Sequence, residues 1–116
     1  MADVLVDTDV LIDHLRGHRA FEPGSDRVFC SVITRAELFG GTGTDEEAVR
    51  RLLAPLIEIP IDRDLAEEAG RLRRTTGIAL PDAVIAATAR SLRVPLLTRN
   101  KRDFGRVRGL RVRAPR

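Results

Sequence analysis

Val4-Leu5-Val6-Asp7-Thr8-Asp9-Val10-Leu11-Ile12-Asp13, the stretch VLVDTDVLID, sets a strongly core-forming segment directly against acids. Val4 to Val6 is too short for a helix and rich in β-branched residues, so it reads as a buried strand. From Asp7 to Arg16, Val10, Leu11 and Leu15 share one face, which predicts a helix with Gly17 as its stop. Asp7 therefore falls where a strand hands over to a helix.

The alternation continues outward from there. Val28-Phe29-Cys30 predicts a second strand, and Ser31 can cap a helix from Val32 to about Phe39, ended by Gly40-Gly41. Thr44 and Glu47 have the spacing of a capping box for a helix from Asp45 to about Leu53, which Pro55 breaks. Leu56 to Ile61 reads as a strand. Asp62 can cap a helix from Arg63 to Thr76, closed by Gly77. Pro81 suits the first turn of a helix running to about Leu92. Pro95 to Thr98 is a strand, Arg99 to Gly105 a turn and Leu110 to Arg113 a last strand. This order predicts an α/β fold, a small parallel sheet of about four or five strands with helices on both faces. No repeat, low-complexity tract or long linker divides residues 1–116, so one domain is expected. Ligands in such folds sit beyond the carboxyl ends of the strands, which is where Asp7 would stand.

Composition narrows the function classes. Hydrophobic residues at 43% against 32% charged predict a packed, soluble core. No apolar run approaches the roughly 20 residues of a membrane span, and Asp3, Asp7 and Asp9 stand where a secretion signal needs basic and then apolar residues. A cytoplasmic protein is expected. Cys30, the only cysteine, excludes an intrachain disulfide and reads as a buried thiol. The net charge of +3 suits an anionic partner, and from Arg90 to Arg116 there are ten basic residues against Asp103 alone. That basic third reads equally well as a phosphate-contacting surface or as a solvated one.

Three further acids repeat the placement of Asp7 at an element boundary. Glu37 lies two turns into the helix after strand two, Asp82 opens the apolar, charge-free run DAVIAATA, and Asp103 follows PLLT with Asn100 between. Each has a plain explanation alone: a helix cap, a charge at a helix start, an exposed acid, a partner for Arg102 or Arg106. Together they can converge at one end of the sheet. Converging carboxylates repel one another unless a cation lies between them, and an all-oxygen donor set selects Mg²⁺ or Mn²⁺. No Cys/His set for zinc, Ser-His-Asp elbow or glycine-rich phosphate loop is present. His14 and His18 have the spacing of a zinc pair but lack a third ligand, and they read as surface residues.

VDTDVLID with Asp7, TRAEL with Glu37, LPDAVIAATA with Asp82 and LLTRNKRDF occur in that order. Together they resemble the PIN-domain ribonucleases, in particular the VapC-type toxins of toxin–antitoxin pairs, over nearly the whole chain. The resemblance implies Mg²⁺- or Mn²⁺-dependent endonucleolytic cleavage of RNA such as tRNA or ribosomal RNA. It implies catalytic acids at Asp7, Glu37 and Asp82, with a fourth position filled by Asn100 or Asp103. Asp7, Asp82, Asn100 and Asp103 would hold one or two ions, with Thr8, Asp9 and Thr98 supporting them from behind. It also implies a homodimer neutralised by a small VapB-type antitoxin. Water attack in line on phosphorus would leave 5′-phosphate and 3′-hydroxyl ends. Arg99, Lys101 and Arg102 could track the RNA backbone around the acids. With no Tyr or Trp, recognition by shape and backbone is expected over base stacking. Two alternatives remain. VLVDTDV also fits a haloacid-dehalogenase-like phosphatase, with Asp7 as nucleophile and Asp9 as general acid, although Lys101 is the only lysine. A catalytically weak binding module, motivated by Asn100, is the other.

Overall fold

In the computed structural model, which describes residues 2–116, the opening stretch forms β1 (Asp3–Val6) and α1 (Thr8–Leu15), with Asp7 between them. Then follow β2 (Arg27–Ser31), α2 (Val32–Phe39), α3 (Glu46–Leu53), β3 (Ile57–Ile59), α4 (Arg63–Thr76), α5 (Leu80–Leu92), β4 (Leu96–Leu97), α6 (Lys101–Phe104) and β5 (Val112–Arg113). The sheet runs β3-β2-β1-β4-β5 and every pairing is parallel. Leu5 in β1 is in register with Phe29 on one side and Leu96 on the other.

The period-2 alternation of β1 divides the core. Leu5 faces a cluster with Leu96, α4, α5 and Phe104, whereas Val4 and Val6 face another with α1, Leu38 and α3. All three side chains are fully buried. Burial of that kind stabilises by roughly 1.5–3 kcal/mol per side chain. In α5 every residue from Ala83 to Ala89 is buried, and the small alanines let α4 and the sheet approach closely. After Asp82 the helix meets its next charge at Arg90, whose guanidinium donates to Glu68 Oε1 at 2.8 Å and to the Arg108 carbonyl at 3.0 Å.

Most expected boundaries hold, and four details differ. Asp45, not Thr44, caps α3 by accepting from the Ala48 N–H at 3.2 Å. The Thr44 hydroxyl instead donates back to the carbonyls of Leu38 and Gly41, closing the end of α2. The segment read as a turn after β4 contains α6. β3 is shorter than Leu56–Ile61, because only Ile57 to Ile59 pair with β2. His14 is half-buried, and its Nδ1 accepts the Phe21 N–H at 2.9 Å, so only His18 is an exposed surface residue. Cys30 is buried as expected, and burial pushes its thiol up to about 11, which keeps it protonated and unreactive. Among the described residues, no helix is long and apolar enough to cross a membrane.

Candidate functional site

β1 lies between β2 and β4, so the sheet order reverses there and a crevice opens beyond the carboxyl ends of β1 and β4. Asp7 follows β1 and Thr98 follows β4, and the Thr98 hydroxyl donates to Asp7 Oδ2 at 2.7 Å across that crevice. The Asn100 N–H donates to Thr98 Oγ1 at 3.0 Å, which fixes the direction of the hydroxyl. Asp7 occupies the cap position of α1, yet its side chain makes no capping bond. Helix capping therefore does not explain it.

Asp7 is 2% exposed. Burial pushes its carboxyl up to about 7 against the lowering effect of the Thr98 bond, and repulsion from Asp9 and Asp82 raises it further. Asp82 lies in the first turn of α5, behind the cap residue Ala79. Burial raises its carboxyl to about 6, with added repulsion from Asp9, Glu37 and Asp103. The acids on β1, α1, α2, α5 and α6 thus share one electrostatic site.

Glu37 is positioned by a hydroxyl relay. Thr8 Oγ1 donates to Glu37 Oε1 at 2.8 Å and lies 2.9 Å from Thr34 Oγ1. Thr8 has one hydroxyl proton, which goes to the carboxylate, so Thr34 donates to Thr8. Thr34 is fully buried. Asn100 caps α6: its Oδ1 accepts the Asp103 N–H at 3.2 Å, and its Nδ2 donates to Asp103 Oδ2 at 3.0 Å. Asn100 therefore holds Asp103 through both its oxygen and its amide. Asp9 is exposed, as are Lys101 and Arg102. Arg99 is half-buried and donates from Nη1 to Asp13 Oδ2 at 2.8 Å.

Sequence reasoning missed two of these residues. Thr34 stands three residues before Glu37 on the same helix face, a polar position in a stripe with Ile33 and Leu38, and that spacing was a usable signal. Asp13 gave none, since its partner is far along the chain.

The donor set is all oxygen, with no thiolate or imidazole among the named acids, and suits a hard divalent cation in kind. Among the described residues, no three of these side chains are already gathered around a point where an ion could sit. The fit to a cation rests on donor chemistry and on the unrelieved charge at Asp7 and Asp82.

Residues 4–110 match the family described as PIN domain. The chain belongs to the PIN-domain family. It is 40% identical over 113 residues to the Mycobacterium tuberculosis protein named Ribonuclease VapC10, covering 87% of this chain and 85% of that one. It is 34% identical over 118 residues to Ribonuclease VapC1 of Methanocaldococcus jannaschii, covering 94% and 85%. A chain in a toxin–antitoxin complex from Klebsiella pneumoniae is similar in structure, with TM-score 0.78, 36% identity and 92% and 94% of the two chains covered. As a PIN domain, the chain has no use for the phosphatase alternative. Asp9, which would be its general acid, is exposed, and so is its one lysine, Lys101.

Proposed function

We propose that this PIN domain, residues 1–116 read as one unit, is a divalent-metal-dependent endoribonuclease of the VapC kind. Its substrate is structured RNA such as tRNA or ribosomal RNA, its cellular effect is to inhibit translation, and a VapB-type antitoxin neutralises it. The observation that carries the reading is Asp7. It is a carboxylate buried at the switch point of the sheet, repelled by Asp9 and Asp82 and raised to about 7. The named ribonuclease relatives and the toxin–antitoxin neighbour support the reaction class and the partner.

Asp7, Asp82 and Asp103 would hold Mg²⁺, or Mn²⁺ in its place, with Glu37 completing the set. A bound cation offsets the pooled negative charge and lowers the pKa of a water, which supplies a nucleophile near neutral pH. The remaining roles belong to the chain. Thr98 fixes one oxygen of Asp7. Thr34 and Thr8 hold Glu37 in place. Asn100 anchors Asp103 by accepting its N–H, and the second lone pair of its oxygen would serve the ion as a neutral ligand. Asp82, in the first turn of α5, can orient the attacking water. Asp9 contributes charge at the mouth, while Lys101 and Arg102 offer exposed cations to the RNA backbone. A homodimer in the cytoplasm completes the proposal.

The test uses purified protein, a structured RNA and Mg²⁺. Cleavage is expected, with loss in Asp7→Asn and Asp82→Asn. Equal cleavage by both variants would assign the activity to a contaminating nuclease. A calorimetric titration with no Mg²⁺ or Mn²⁺ uptake would favour the non-catalytic binding module.

A further inference from the structure

A cleft of about 430 Å³ lies beside the acids, lined by Asp9, Ile12, Asp13, Arg16, Arg99 and Asn100. It adjoins the site through two of its own walls. Asp9 is the acid that repels both Asp7 and Asp82, and Asn100 is the residue that holds Asp103. Two arginines line it, and they differ. Arg99 is anchored by its 2.8 Å bond to Asp13, and among the described residues no other acceptor is bonded to its guanidinium. Arg16, in the C-cap position of α1, is exposed.

We propose that this cleft is a phosphate subsite for the RNA strand, with Arg99 as the fixed fork and Arg16 as the mobile second cation. This rests on the nuclease reading above. A polyanion approaching five carboxylates needs a cation on the approach, and the fork of a guanidinium matches a phosphate's oxygens. Asp13 accepts from Nη1 of Arg99, so the guanidinium is held at the wall of the cleft without the ordering cost of a free arginine. The Arg99–Asp13 pair is neutral as a unit, so Arg16 and Asp9 carry the remaining charges of the cleft. Asp9 is then the one acid of the cleft without a paired guanidinium among the described residues, and it stands on the side of the metal site. The phosphate held here would neighbour the one that is cut.

The experiment measures binding of fluorescein-labelled oligouridylate across a NaCl series, in an Asp82→Asn background that prevents cutting. Arg99→Gln should weaken binding by about tenfold and reduce the slope of log affinity against log salt by about 0.7. Arg16→Gln should give a smaller change of the same kind. Asp13→Asn should keep the slope, because Arg99 stays charged, and should lose only about threefold in affinity through looser positioning. Made singly in the otherwise unsubstituted protein, each of the three should leave Mg²⁺ affinity unchanged. An ion pair that merely braces α1 against β4 would behave otherwise: Arg99→Gln and Asp13→Asn would lose equal thermal stability, and neither would alter the salt slope. That result overturns the subsite while leaving cleavage by the unsubstituted protein intact. If the unsubstituted protein with Mg²⁺ cuts no RNA, the nuclease reading falls and the subsite falls with it.

Discussion

Asp7 and Asp26 are both aspartates with little exposure, and the chain treats them in opposite ways. Asp26 has a side chain 7% exposed, accepts from Arg113 Nη2 at 2.7 Å and from the Ala2 N–H at 3.3 Å, and has Arg116 within 4.0 Å. The Arg113 bond holds its carboxyl below the usual range, despite some burial. Asp7 is buried as deeply, receives a neutral hydroxyl from Thr98, and faces further acids. One carboxylate is wired for structure, tying the N-terminal edge of the sheet to β5. The other is left without a cation from its own chain, an arrangement that costs stability and suits the divalent ion proposed above.

The largest break in that contrast is Asp7→Asn. RNA cleavage should fall on the order of a thousandfold. Thermal melting of the metal-free protein at pH 8 should show a gain of about 2–4 kcal/mol, since the variant has no carboxylate to ionise. Asp26→Asn should do the reverse, lowering stability at neutral pH while leaving Mg²⁺ affinity in calorimetry untouched.

pH sharpens the same difference. With the Asp7 carboxyl raised from 3.8 to about 7 and Asp82 to about 6, the folded protein binds more protons than the unfolded chain between those values. Metal-free stability should therefore fall as pH rises from about 4 to about 7 and then level off, by on the order of 4 kcal/mol for Asp7. The lowered Asp26 pulls in the opposite direction at the acid end, where its stabilisation is lost as pH falls. Urea melts across pH in EDTA would measure the balance. A curve that rises with pH through neutrality would mean that the acids are not held as described.

Mg²⁺ at a hundredfold excess over its dissociation constant should stabilise the protein by about 2.7 kcal/mol. The gain should shrink below pH 6, where Asp7 and Asp82 hold protons, and should vanish in Asp7→Asn. Differential scanning calorimetry with and without EDTA would read it. The smallest effect belongs to Asn100. Asn100→Ala removes the α6 cap and the amide on Asp103 and should cost about 1 kcal/mol in stability and roughly tenfold in Mg²⁺ affinity. Asn100→Asp restores an acceptor for the Asp103 N–H but not the amide donor, so it should recover the melting temperature more than the affinity.

Much of this was legible in the sequence because β1, α2 and α5 announce themselves. Each joins a short-range pattern of apolar spacing to an acid at its boundary, and the parallel alternation predicts where those boundaries collect. The pairing of Arg99 with Asp13 and of Thr98 with Asp7 could not be read that way. Those bonds join residues 86 and 91 positions apart, and no local period reports on them. Thr44 was misjudged for a related reason: its hydroxyl had two competing uses, and the turn after Gly40-Gly41 took it. Asn100 presents the same lesson in chemistry. By residue type it could be a ligand or a cap, and the bond from the Asp103 N–H adds the cap, which no local pattern announced.

The bond from Thr98 to Asp7 also sets an order in time. Asp7 is made well before Thr98 and Asp103, and β1 must wait for β4 before the crevice has two sides. A chain stalled anywhere before β4 carries the early acids without the hydroxyl and carboxylate that complete their setting.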